Sequence, residues 1–323
     1  MSQPPKLKRP DFPLPPNHVD IIGPGALGLH LALSLPDDVT VRLRHPRFNT
    51  GTTSLSYADA SRTRTVETLA LDDPNPIQCA LFTTKAFQVV PALRTILTAL
   101  HASSDLVLLN NGLGPQDDVC DLFPGNVWAG TTTEGALRTD TWQVRHTGYG
   151  ATLVGPWREE PNTQPLYTPP PIGHILQDSR WKAQWVTSTH IMREHLWRKV
   201  IINCAINPLT ALHNLRNGDL LAPEWLAHWQ SVVVEAVAVA NAMHMAFDTD
   251  TMIADVQQVM QATAQNYSSM HQDWQHGRPT EADFILGTII RHGAAMSLPT
   301  PRVSDLFKAL TSTAKTRGPD PLI

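Results

Sequence analysis

The chain has 323 residues, with 25 basic and 29 acidic side chains for a formal net charge of −4; 42% of it is hydrophobic and 17% charged. The length exceeds one typical domain and suggests two, and the apolar content excludes wholesale disorder. A slightly acidic balance argues against a dedicated nucleic-acid or anionic-membrane surface, and no apolar run approaches the roughly 18 residues of a membrane span. Cys79, Cys120 and Cys204 are odd in number and widely spaced, so they form neither a disulfide framework nor a CxxC metal knuckle. A cytoplasmic protein is the simple reading.

Residues 1–17 carry Pro4, Pro5, Pro10, Pro13, Pro15 and Pro16 and no apolar stretch, which reads as a disordered leader rather than a signal peptide. Order is expected from His18. Val19–Ile22 is a β-type run, a glycine turn at Gly23–Gly28 leads into a helical stretch over Leu29–Leu33, and Val39–Leu43 alternates as a second strand. Strand, turn, helix and strand within about 30 residues make a βαβ unit. Further strands are expected at Cys79–Thr83, Leu106–Leu109, Val127–Thr131 and Ala151–Val154, with a helix over Val89–Ala99. That alternation predicts an α/β fold with a mostly parallel sheet.

Pro161–Gly173 is proline-rich and expected to be a loop. Beyond it helical patterns dominate, at Ile191–Ala205, Pro223–Met245, Asp250–Thr263, Glu281–His292 and Pro301–Thr311. The predicted organisation is a leader (1–17), an α/β domain (18–188) and an all-helical domain (189–323).

Gly23, Gly25 and Gly28 form G-x-G-x-x-G between a strand and a helix. In that context the first glycine permits a tight turn and the second admits a pyrophosphate to the backbone. The third lets helix and strand pack closely, and the helix N-terminus attracts the anion. The plainer alternative is a structural glycine turn, and Pro24 removes one possible N–H donor. Where an NAD site places a carboxylate at the end of the second strand, this chain has Arg44, followed by His45 and Arg47. A guanidinium binds a 2′-phosphate that a carboxylate would repel, which favours NADP(H); the alternative is a solvated basic loop.

Lys199, Asn203 and Asn207 fall at i, i+4 and i+8 on one helix face, with apolar residues between them. One lysine and two amides suit a small, oxygen-rich anion, and partial burial lowers a lysine toward a useful proton donor. An ordinary amphipathic helix with a solvated lysine is the alternative. Cys204, beside Asn203, reads as a buried small residue. Thr83–Ala86 and Asn110–Gly114 follow strands, where ligand contacts of open α/β sheets collect. Asn266–Met270, then Thr280 and Glu281, offer hydroxyls and a carboxylate ahead of a helix, although Thr280 also suits an N-cap. The fourteen histidines show no paired spacing with a carboxylate, and no metal is assigned.

Taken together, G-P-G-A-L-G, T-T-K-A-F-Q, N-N-G-L-G, G-T-T-T-E-G-A, W-R-K-V-I-I-N-C-A-I-N-P-L-T-A-L and S-S-M-H-Q-D-W with T-E resemble the ketopantoate reductase (2-dehydropantoate 2-reductase) family. The resemblance runs from about Asp20 to Leu310. It implies a Rossmann-like N-terminal domain, an all-helical C-terminal domain and NADPH-dependent reduction of a 2-oxo acid in pantothenate and coenzyme A biosynthesis. By position it implies that Lys199 is the proton donor and that Glu281 lies near the nicotinamide ribose and supports turnover. It further implies that Gly23, Pro24, Gly25, Ala26, Leu27 and Gly28 cradle the cofactor, that Arg44 and Gln88 select its 2′-phosphate, and that Lys85, Asn111 and Ala136 contact it. On the same resemblance, Asn111, Lys199, Asn203, Asn207 and Asn217 are expected to face the substrate, as is the segment Asn266, Tyr267, Ser268 and Ser269. The leader and the Pro161–Gly173 segment are not part of the resemblance. A same-fold reductase of another 2-oxo acid and a non-catalytic NADPH sensor are the other two readings, and no oligomeric state is implied.

Overall fold

The computed structural model describes residues 18–158 and 169–314, so the expected leader and most of the Pro161–Gly173 segment lie outside the described residues. The chain divides into two compact units. One holds the residues up to Asn110 and Pro115–Arg193, and the other holds Asn111–Gly114 and the chain from Glu194 onward.

The first unit contains β1 (His18–Ile22), α1 (Ala26–Ser34), β2 (Thr40–His45), β3 (Gly51–Tyr57), β4 (Thr63–Ala70), β5 (Ile77–Phe82), α2 (Ala86–Ile96) and β6 (Leu100–Leu108). It continues with α3 (Pro115–Leu122), β7 (Asn126–Thr132), β8 (Gly135–Asp140), β9 (Gln143–Gly148), β10 (Thr152–Pro156), α4 (Pro171–Asp178) and β11 (Gln184–Trp185). The strands form one sheet in the order β11-β10-β7-β6-β5-β1-β2-β4-β3-β9-β8. From β7 to β4 every neighbouring pair is parallel. This central run is buried on both faces, which is why Val19, Ile21, Ile22, Leu81, Phe82, Leu106, Val107 and Leu108 make near-continuous apolar strands.

The strands absent from the sequence expectation are β3, β4, β8, β9 and β11. In β3 only Leu55 and Tyr57 are buried, and most of β8 is exposed. Strands with one wet face carry little apolar signal. The end of the expected Pro161–Gly173 loop also needs correction: Pro171–Gly173 is the first turn of α4, with Pro171 where its missing N–H costs nothing.

The second unit is helical beyond Asn111–Gly114. It takes α5 (Thr189–His213) from Glu194 onward, then α6 (Pro223–Ala242), α7 (Thr249–Ala262), α8 (Ser269–Gln275), α9 (Ala282–Ala295) and α10 (Pro301–Ala314). On α6, Trp229, Val232, Val233, Ala236, Val237 and Ala240 are buried at helical spacing. Glu235 of α6 accepts the backbone N–H groups of Arg302 and Val303 at 2.9 and 3.0 Å, closing the N-terminus of α10. No described helix is long and apolar enough to cross a membrane.

Candidate active site

In the first unit the glycine turn is tight on two sides and open on the third. Gly23 has φ +85°, and a Cβ there would lie 2.3 Å from the Thr84 methyl, so only glycine is accommodated. A Cβ on Gly28 would meet the Thr83 hydroxyl at 2.6 Å, whereas Gly25 has nothing within 4 Å. The Thr83 hydroxyl donates to the Gly23 carbonyl at 2.7 Å and holds the turn in place. Gly25 is the N-cap of α1 and supplies no capping side chain, so the first-turn N–H groups, those of Ala26 and Leu27 among them, receive no cap from it. The space at Gly25 fits a pyrophosphate at a helix N-terminus. Pro24 is buried and contributes no donor.

Lys85 is the N-cap of α2, and its backbone N–H donates to the Gln88 side-chain carbonyl at 3.2 Å. Ala136 lies on β8, partly buried against the core of this unit.

Arg44 requires correction. Its side chain is 0% exposed. Nε donates to Asp20 Oδ1 at 2.6 Å, and Nη1 and Nη2 donate to the carbonyls of Asp73 and Asn75 at 2.7 Å. Asp20 is itself fully buried on β1 and also pairs with Arg42. The guanidinium therefore neutralises a carboxylate inside the sheet and ties down the 73–75 turn, and it does not present itself to a 2′-phosphate. Arg47, three residues on, is exposed.

In the second unit Lys199, Asn203 and Asn207 share one face of α5. Lys199 and Asn203 are half-buried and Asn207 is 6% exposed. Thr210 continues this stripe, and its hydroxyl lies 2.8 Å from that of Ser268. The spacing from Lys199 onward points to Thr210 as well, a signal the sequence reading passed over. Removal from water lowers the Lys199 ammonium to about pKa 8, while the charge of Glu281 acts in the opposite direction.

Glu281 is 5% exposed. It stands at the N-cap of α9, yet its carboxylate does not cap that helix; Oε2 instead accepts from the Asn111 amide at 3.0 Å. The N-cap thus falls at Glu281 rather than at Thr280. Asn111 is fixed by its neighbours. Gly112, at φ +83°, sits so close to α9 that a Cβ would lie 2.4 Å from the Phe284 carbonyl. Leu113 N–H donates to that carbonyl at 3.0 Å, and the Thr288 hydroxyl donates to the Leu113 carbonyl at 3.1 Å. Phe284 and Thr288 were not expected from the sequence, because a backbone seat leaves no motif.

The remaining substrate candidates separate by role. The Ser268 hydroxyl is buried and accepts the His271 N–H at 3.0 Å as the N-cap of α8, which makes it structural. The Asn217 amide donates to Thr263 at 2.9 Å and its backbone N–H to the Asn266 carbonyl at 2.9 Å. It therefore positions the 263–266 turn. Tyr267 stacks on His271 with ring centroids 4.3 Å apart. Asn266 and Ser269 are exposed. Cys204 is buried, and burial pushes its thiol up.

Comparison with known proteins decides the family. The model described as "Ketopantoate reductase PanE/ApbA" matches residues 19–159, and its C-terminal counterpart matches residues 191–313. The chain belongs to the ketopantoate reductase family. It is 35% identical over 300 residues to the 2-dehydropantoate 2-reductase of Vibrio cholerae, covering 91% of this chain and 96% of that one. It is 31% identical to the enzyme of the same name from Salmonella typhimurium, over 90% and 93% of the two chains. The crystal structure of a PanE/ApbA family ketopantoate reductase from Ralstonia eutropha shares the fold, with a TM-score of 0.79 and 23% identity over 93% of this chain and 99% of that one.

Arg44→Ala leaves Asp20 paired with Arg42 alone and removes the donors to the Asp73 and Asn75 carbonyls, and is expected to lower unfolding stability by about 1–3 kcal/mol in urea denaturation. A fully stable Arg44→Ala variant with selectively weaker NADPH binding would return this residue to the 2′-phosphate.

Proposed function

We propose that this chain catalyses the NADPH-dependent reduction of 2-dehydropantoate to pantoate, with Lys199 as the proton donor. The observation that carries the reading is the face of α5 that Lys199 shares with Asn203 and Asn207; burial lowers the Lys199 ammonium to about pKa 8, and the charge of buried Glu281 acts in the opposite direction. NADPH, when bound at the glycine turn, supplies the hydride that adds to the ketone carbon. Lys199 donates a hydrogen bond to the ketone oxygen and transfers its proton as that oxygen becomes an alkoxide, giving the alcohol. A fixed ammonium at the site of developing negative charge lowers the barrier most when water is excluded.

Glu281 keeps Lys199 protonated by opposing the effect of burial, and the Asn111 amide holds Glu281 in that position. Asn203 and Asn207 offer amides to the substrate's hydroxyl, and Ser269 offers its hydroxyl to the carboxylate. Asn217 acts on this surface indirectly, through the turn it holds. For the cofactor's 2′-phosphate, the exposed guanidinium of Arg47 takes the part that the buried Arg44 cannot, with Gln88 and Lys85 at the start of α2. A cytoplasmic setting suits the three free cysteines.

Lys199→Ala is expected to fold and to lose roughly 10²–10⁴-fold in kcat/KM for 2-dehydropantoate-dependent NADPH oxidation; wild-type turnover in this variant would remove the proton-donor assignment. The donor must be protonated, so kcat/KM should fall as pH rises through about 8. Glu281→Gln deletes the charge that raises the Lys199 pKa, and the alkaline limb should move to lower pH; an unmoved limb would show that another group sets it. Arg47→Ala should raise KM for NADPH roughly tenfold, the scale of one charge-assisted hydrogen bond, and leave KM for NADH unchanged.

A further inference from the structure

A second cluster of chemistry-bearing side chains lies in the first unit, on residues that the proposed reduction does not use. His30 on α1, Glu134 just before β8 and His146 on β9 bring three ligand-type atoms within 4.8 Å of one another. Glu134 Oε2 lies 2.7 Å from His146 Nε2 and 3.5 Å from His30 Nε2. In a tetrahedral zinc site, with bonds of about 2.0–2.2 Å, neighbouring donor atoms sit about 3.3 Å apart, so these three atoms need only small adjustments to surround one ion.

Outer contacts orient two of the three side chains, while His146 Nε2 also lies 2.9 Å from the Gly148 carbonyl, a contact that an ion would replace. The other nitrogen of His30, Nδ1, lies 2.9 Å from the Tyr57 hydroxyl, the outer contact that fixes the orientation of a ligating imidazole. Glu134 Oε1 accepts the Gly150 N–H at 3.2 Å, which orients the carboxylate. The His30 and His146 rings stack with centroids 4.3 Å apart, and Tyr149, 95% exposed, covers the His146 edge. The cluster lines a cavity of about 490 Å³ together with Asp59, Arg145, Arg180 and Trp181. The buried Trp181 indole N–H, which has no acceptor among the described residues, is suited to a water or anion completing the coordination of an ion.

We propose that His30, Glu134 and His146 bind one divalent transition-metal ion of the zinc class, with the fourth position facing this cavity. Two imidazoles and one carboxylate suit zinc and similar ions and do not suit magnesium, which prefers oxygen donors alone. Such an ion would tie the β8–β9 hairpin to α1, the helix that opens at the glycine turn. Its role would then be to fasten the cofactor-binding helix rather than to take part in hydride transfer.

The test uses the full chain without a histidine tag, equilibrated with zinc chloride, magnesium chloride or sodium phosphate and read by equilibrium dialysis and thermal unfolding. The expected result is one zinc ion bound per chain, a rise in Tm with zinc and none with magnesium. His146→Gln, at a partly exposed position, and the near-isosteric Glu134→Gln should each weaken zinc binding by at least tenfold while unfolding normally in metal-free buffer. The proposal is overturned if the wild type retains no zinc. It is equally overturned if both variants bind zinc as tightly as the wild type, or if phosphate raises Tm and zinc does not, which would assign the cavity to its two arginines.

Discussion

The second unit is organised around one electrostatic constraint: an ammonium group withdrawn from water must be kept charged by a carboxylate that is itself buried. Lys199 on α5 and Glu281 at the start of α9 satisfy it jointly, and Asn111 gives the carboxylate a hydrogen-bond donor. Each participant comes from a different stretch of chain: α5, the start of α9 and the Asn111–Gly114 segment. The close approach of Gly112 to the Phe284 carbonyl, and the bonds from Leu113 and Thr288, are the backbone counterpart of that requirement. A larger residue at Gly112 would clash with the Phe284 carbonyl and press on the segment that carries Asn111.

The same logic governs the first unit with the opposite outcome. Asp20, buried in β1, is compensated by Arg42 and Arg44. Here the charges hold the sheet and the 73–75 turn together and are withdrawn from chemistry. A pair that leaves one member able to exchange a proton is suited to catalysis, whereas a pair saturated on every side is suited to structure. The glycine turn sits between β1 and α1, and Gly25, the N-cap of α1 with no capping side chain, has open space beside it.

The parts of this arrangement that a sequence displays are those written in local pattern. The βαβ unit was legible because apolar runs flank G-x-G-x-x-G, and the α5 stripe because Lys199, Asn203 and Asn207 keep a four-residue interval. Family motifs extended that reading to Glu281 and Asn111. Burial is not written locally, and Arg44 shows the consequence. Its place at a strand end was readable, while its saturation by Asp20, Asp73 and Asn75 depends on residues 24 to 31 positions away. The strands β3, β4, β8 and β9 were missed because a wet face dilutes their apolar signal. The grouping of His30, Glu134 and His146 was invisible because α1 and the hairpin are far apart in the chain.

The central claim, that Lys199 is poised by burial against Glu281, is tested most directly by following the Lys199 side-chain resonance through a pH titration of the full chain carrying ¹³C-labelled lysine. The account predicts a midpoint of about 8 in the wild type and a lower one in Glu281→Gln. A wild-type midpoint at the ordinary lysine value of about 10.4 would contradict it.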